Sequence, residues 1–161
     1  VLGEPKPRHS YLLLAEARRM VGSSVGLAED LREIFTRMAF NILIDNTDDH
    51  ESNHGFVFDQ GWRLSKAFDV SPQLTHLGYQ QMDVGTDGTD STLANALTSS
   101  GHFGLAAGEA EEVVNGLIEA TRAMEDVYRK AGVAEEARSR ALRHRESVIA
   151  AFRSRPAKAS R

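Results

Sequence analysis

Residues 27–46, LAEDLREIFTRMAFNILIDN, limit what this chain can become more than any other stretch. Leu31, Ile34, Phe35, Met38 and Ile42 recur at the i, i+3, i+4 spacing that lines up apolar side chains on one face of an α-helix. The closing turns, AFNILI, are apolar all round, so that end of the helix is expected to be fully buried. A polar loop, NTDDHESNH, follows at once. It gathers acids, histidines and two asparagines where a buried segment ends.

The loop leads into GFVFD, QG and WRLSK, which read as strand, tight turn and strand, with Gly61 supplying the turn. AFDVSP leaves this hairpin, and Pro72 closes the segment. LGYQQMDVGTDGTD has the Gly and Asp content of a loop. Upstream, SYLLLAEARRMVG predicts a short helix with Ser10 as N-cap and Gly22 as its stop, and GSSVG a flexible connection.

From STLANALTSS onward the pattern is helical, with Ser91 as N-cap. GEAEEVVNGLIEATRAMEDVYRKAG predicts one long helix with Val113, Leu117, Met124 and Tyr128 near one face. AEEARSRALRHRESVIAAFRSR predicts another, with Ala137, Ala141, Val148 and Phe152 on one side. The reading is a mainly α domain with a small β-hairpin over residues 1–155, and a basic, disordered tail over 156–161.

Composition narrows the function classes. The 161 residues carry 41% hydrophobic side chains, enough to bury a core, and a net charge of −4. There is no cysteine, which excludes disulfides, thiolate metal sites and a cysteine nucleophile, and fits a reducing cytoplasm. No apolar run approaches the ~20 residues that span a bilayer, so no membrane role is expected, and VLGEPKPRHS carries no apolar h-region. Acidic residues concentrate between Asp45 and Asp90, and basic ones between Arg138 and Arg161.

The acidic loop has a chemical logic. Asp48 and Asn53 are five residues apart, and Asp69 follows the second strand. A hairpin brings its two ends together, so Asn53 and Asp69 are expected to be neighbours. A carboxylate and an amide oxygen side by side form a hard-oxygen site suited to Mg²⁺, with Asp48 beside it to accept a proton. Kinase catalytic segments are laid out in this way: an Asp, four residues, an Asn, a hairpin, then a second Asp. Here Asn46 and Thr47 stand in place of the kinase His-Arg, and Val70 in place of the Gly of D-F-G.

The whole stretch NILIDNTDDHESNHGFVFDQGWRLSKAFDVSP, with DSTLANAL and HFGL further on, resembles the C-terminal lobe of HipA-like serine/threonine kinases, the toxins of HipA/HipB-type toxin–antitoxin pairs. The resemblance implies transfer of the ATP γ-phosphoryl group to a protein Ser or Thr. It implies Asp48 as the catalytic Asp, Asn53 and Asp69 as Mg²⁺ ligands, His50 in a supporting catalytic role, and Mg²⁺ and ATP as cofactors. It implies a HipB-like helix-turn-helix antitoxin as partner, with DNA reached only through that complex. The sequence departs from the family at Asp45, where Gly is usual, at Lys66 in place of Pro, and at Phe68 in place of Tyr.

No Gly-rich phosphate loop and no VAIK-like strand is present, and the chain starts at Val1. It is therefore expected to be a fragment that lacks the nucleotide-covering lobe and is inactive alone. Two other functions fit the same residues: a Mg²⁺-dependent phosphoesterase and a non-catalytic module binding antitoxin or DNA.

Plainer roles are also open to individual residues. Asp48, Asn53 and Asp69 can each serve as turn or cap residues. Asp49 reads as a solvated or turn-forming acid, His54 and His76 as surface or loop histidines, and Trp62 as hairpin packing. Asn46 reads as a helix cap, and Asn41 is placed to hydrogen-bond the loop. RSRALRHR reads as a solvated helix face, with clustered bases that could meet DNA phosphates.

Overall fold

The computed structural model describes residues 9–21 and 24–156. Six helices and one hairpin follow in order: α1 (Tyr11–Met20), α2 (Leu27–Ile44), β1 (Phe56–Phe58), β2 (Trp62–Leu64), α3 (Leu93–Thr98), α4 (Ala107–Ala120), α5 (Met124–Lys130) and α6 (Glu135–Arg153). Single 3₁₀ turns lie at Glu51–Asn53, Ser100–Phe103 and Thr121–Ala123. The mainly α architecture with a small β-hairpin is as expected.

The apolar helix α2 is the centre of the domain. Ile34, Phe35, Met38, Ala39, Ile42 and Leu43 have no solvent-accessible surface. Helices α1, α3, α4 and α6 pack around it. Its C-cap is Asp45, which takes the left-handed conformation at φ 61° and returns its N–H to the Asn41 carbonyl. This is the position where the sequence resemblance leads to an expectation of glycine. Aspartate holds the same sharp turn here, at the steric cost a Cβ carries in that region.

Helix α1 starts where expected. The Ser10 hydroxyl accepts from the Leu12 N–H at 3.1 Å. Gly22, its expected stop, lies outside the described residues, as do 157–161 of the expected tail. The hairpin pairs Phe56 with Leu64, Val57 with Arg63 and Phe58 with Trp62. Its turn is wider than a two-residue QG. Asp59 joins it, and Gln60 takes the left-handed φ of 55°, with Gly61 at φ 152°. Trp62 packs edge-on against Phe58, as a hairpin residue.

Two helix boundaries differ from expectation. Thr92, not Ser91, caps α3, accepting from the Asn95 N–H, while the Ser91 hydroxyl accepts from Gln80 Nε2. The long helix expected from 108 to 132 is broken at Thr121–Ala123. The Thr121 hydroxyl donates back to the Leu117 carbonyl at 2.8 Å, and Arg145 of α6 donates to Thr121 Oγ1 and the Ile118 carbonyl. Side chains that occupy ladder carbonyls in this way loosen a helix at that point. Arg145 is buried, so RSRALRHR is not wholly a solvated face.

A buried ion cluster ties the hairpin to the helices. The Asp30 carboxylate of α2 accepts from Arg18 of α1 at 2.6 Å, from Arg63 of β2 at 3.1 Å and from the Leu64 backbone N–H at 3.1 Å. Burial alone would raise the Asp30 carboxyl. Its hydrogen bonds with Arg63, Arg18 and Leu64 outweigh that and hold it below the ordinary carboxylate value.

Candidate functional site

The loop from Asn46 to His54 leaves the buried end of α2, and its side chains are held by α2 and α1. Asn41, the one polar residue in AFNILI, donates to Asp49 Oδ2 at 2.8 Å, and its Oδ1 accepts from Asn46 Nδ2 at 3.1 Å. The expected contact of Asn41 with the loop is thus present, and Asn46 reaches back onto the helix.

Asp49 departs from its reading as a solvated acid. It is 3% exposed and accepts from Tyr11 Oη at 2.5 Å, from Asn41, and meets His54 Nε2 at 3.0 Å. His54 also departs from its reading as a surface histidine, with a side chain only 2% exposed. Burial alone would raise the Asp49 carboxyl. The His54 hydrogen bond and charge, with the Tyr11 and Asn41 hydrogen bonds, reverse this and hold it low. Burial and then the Asp49 charge push the Tyr11 phenol well above its ordinary value, so it stays protonated as a donor. Little in the sequence marks this network. Tyr11 is 38 positions away from Asp49, and the only local clue is an asparagine inside an apolar run.

Asp48 turns the other way from Asp49. It is exposed, and its Oδ1 accepts from Gln81 Nε2 at 2.5 Å. Gln81 lines a cavity of about 250 Å³ with His9, His50, Glu51 and Ser52, which places His50 on this side of the loop. Asn53 is buried in the 3₁₀ turn and donates from Nδ2 to the Asp48 carbonyl at 3.4 Å. This leaves its amide Oδ1 as the atom available to a cation.

Asn53 also lines a second cavity, of about 280 Å³, together with Phe68 and Val70, the two neighbours of Asp69. Asp69 is exposed and sits in the left-handed region at φ 54°. The hairpin therefore does bring the flanks of Asp69 to Asn53. Asp48 joins Asn53 through its backbone, while its carboxylate projects towards Gln81 rather than lining the Asn53 cavity. Left-handed φ at a non-glycine residue costs free energy and concentrates at functional sites. An amide oxygen and a carboxylate are the donor types Mg²⁺ takes.

Among the described residues, no helix is long and apolar enough to cross a membrane. No curated protein matches the sequence. A chain from the solved Shewanella oneidensis MR-1 complex of HipA, HipB and operator DNA is similar in fold, with a TM-score of 0.61 at 16% identity. The similarity covers 88% of this chain and 34% of that one, so the present chain spans about a third of its solved relative. The model of the HipA-like C-terminal domain matches residues 1–128. With α2 buried at the centre and the acidic loop at its end, the chain belongs to the HipA-like C-terminal domain family.

Proposed function

We propose that this chain is the site-bearing C-terminal lobe of a HipA-like serine/threonine protein kinase. The observation that supports this most is Asn53, which is bonded to the Asp48 backbone and shares a cavity with the flanks of Asp69. In this reading Asn53 Oδ1 and the Asp69 carboxylate hold Mg²⁺, which supplies charge neutralisation on the nucleotide phosphates. Asp48 orients the acceptor hydroxyl and takes its proton. The hydroxyl oxygen bonds to the γ-phosphorus, the bond to the β,γ-bridging oxygen breaks, and ADP leaves. His50 supports the loop beside Asp48, and Gln81 holds the Asp48 carboxylate until an acceptor replaces it.

A nucleotide-covering segment has to come from outside these 161 residues, because they contain no Gly-rich phosphate loop. The chain alone is proposed to label no protein at a useful rate. A cytoplasmic toxin role, a HipB-like antitoxin partner and a protein substrate are parts of the same proposal, supported by family membership and by the complex in which the solved relative occurs.

The test is radiolabelled phosphate transfer by the longest natural chain that contains this lobe, compared with its Asp48→Ala form and with the 161-residue chain. Labelling by the long chain that disappears in Asp48→Ala supports the proposal. Labelling that survives Asp48→Ala overturns it. Metal-dependent hydrolysis of a nitrophenyl phosphate by the 161-residue chain would favour a phosphoesterase instead.

A further inference from the structure

We infer that Asp45, His76 and His144 form a binding site for a divalent transition metal of the zinc class, separate from the proposed Mg²⁺ site. The three residues come from the end of α2, the loop after Asp69 and the middle of α6. The Nδ1 atoms of His76 and His144 face each other at 3.1 Å, with the rings stacked. Each Nδ1 also faces a carboxylate oxygen of Asp45, at 3.7 Å from His76 and 3.6 Å from His144. One donor atom from each residue can be chosen so that all lie within 4.8 Å of one another.

The Nδ1–Nδ1 separation is also that of a hydrogen bond, but the two carboxylate–imidazole separations fit a shared ion better. Donor atoms on one tetrahedral zinc stand about 3.3 Å apart, given bonds of about 2.0–2.1 Å. The carboxylate–imidazole gaps exceed hydrogen-bond length, although the Asp45 side chain is 1% exposed. A buried carboxylate turned towards two imidazoles but bonded to neither has room for a cation between them.

The surrounding bonds prepare the donors. His144 donates its Nε2–H to the Ile42 carbonyl at 2.8 Å, so its Nδ1 carries the lone pair aimed at the site. Metal-bound histidines are usually held by such a bond from the other ring nitrogen. The His76 backbone N–H donates to Asp45 Oδ2 at 2.9 Å and fixes that carboxylate.

Asp45 and His76 both sit in the left-handed region, at φ 61° and 52°, although neither is glycine. A glycine at position 45 would have no side chain to offer, whereas Asp45 supplies the third ligand. His76 and His144 line an open cavity of about 600 Å³, which gives a metal entry and leaves room for a water as fourth ligand.

A metal here would clip the loop between Asp69 and Gln81 onto α2 and α6. That loop is otherwise held near this point by the Gln73 N–H on the Asp45 carbonyl and by the Thr47–Thr75 hydroxyl contact. The inference does not depend on the kinase reading, since none of the three residues belongs to the proposed phosphotransfer set.

The experiment is titration of the EDTA-dialysed 161-residue chain with Zn²⁺ by calorimetry, and with Co²⁺ followed by its d–d absorption. One equivalent of either metal, a tetrahedral Co²⁺ spectrum and a raised melting temperature on zinc addition are expected. His144→Ala should weaken binding by tenfold or more, and Asp69→Asn should leave it unchanged. His76→Gln, at an exposed position, is the control should His144→Ala fail to fold, and should weaken binding similarly. Absence of uptake by the wild-type chain, or uptake unchanged in His76→Gln, overturns the inference. Loss of zinc binding in Asp69→Asn alone would also overturn it, by assigning the metal to the phosphotransfer loop.

Discussion

The Tyr11 hydroxyl donates a 2.5 Å hydrogen bond to the buried carboxylate of Asp49, joining the first turn of α1 to the loop that carries Asp48 and Asn53. Tyr11 has no exposed surface, and Asp49 has only Asn41 and His54 as its other side-chain partners among the described residues. Tyr11→Phe keeps the ring and removes the donor. Hydrogen bonds to charged groups contribute about 1.5–3 kcal/mol, so the variant should lose stability in that range, read as a lower urea midpoint with an unchanged slope. A midpoint equal to wild type would show that the bond does not hold the loop.

Acid should destabilise the domain through Asp49 and Asp30. Both carboxyls lie below their ordinary value in the folded state, so the unfolded chain binds protons more readily. Their contribution is full above the unfolded value, near pH 4, and is lost as pH falls through the lower folded values. Urea midpoints measured from about pH 6 down to about pH 3 should fall steeply at the acid end. Asp49→Asn should lower the plateau and flatten that fall. An acid limb as steep as wild type in both Asp49→Asn and Asp30→Asn would contradict the assignment.

Asp30→Ala should be more damaging than Arg63→Ala. The first leaves the fully buried Arg18 facing a lost carboxylate and removes the acceptor of the Leu64 N–H that ties β2 to α2. Removing one member of a buried ion pair costs about 3–5 kcal/mol. Arg63 is about a third exposed, and its removal leaves Asp30 paired with Arg18, so a much smaller loss is expected. Chemical denaturation of the two variants side by side gives the ratio directly.

Asp48→Asn should separate activity from stability. Asp48 is exposed, and its side chain has Gln81 as its hydrogen-bond partner among the described residues. Its melting temperature should stay within a degree or two of wild type, in keeping with surface substitutions of about 0.5 kcal/mol or less. In a longer chain able to transfer phosphate, the same change should cost about 10²–10⁴-fold in turnover. Asp49→Asn should show the opposite balance, with a large stability loss at the neighbouring position.

The sequence by itself determined the central helix, the hairpin after it and the approach of the segment around Asp69 to Asn53, because each follows from short-range spacing. Leu31, Ile34, Phe35, Met38 and Ile42 repeat within one helix, and the hairpin closes over a few residues. Only the tertiary structure decided what Asp49, His54, Arg145, Asp45 and His144 do. Their partners lie on other elements: Tyr11 for Asp49, Thr121 and Ile118 for Arg145, Ile42 for His144. A polar side chain looks the same in sequence whether it ends in water or in the core. What separates the two outcomes is the cost of burying it without a partner, and that partner is set by how the helices pack, not by the residues beside it in the chain.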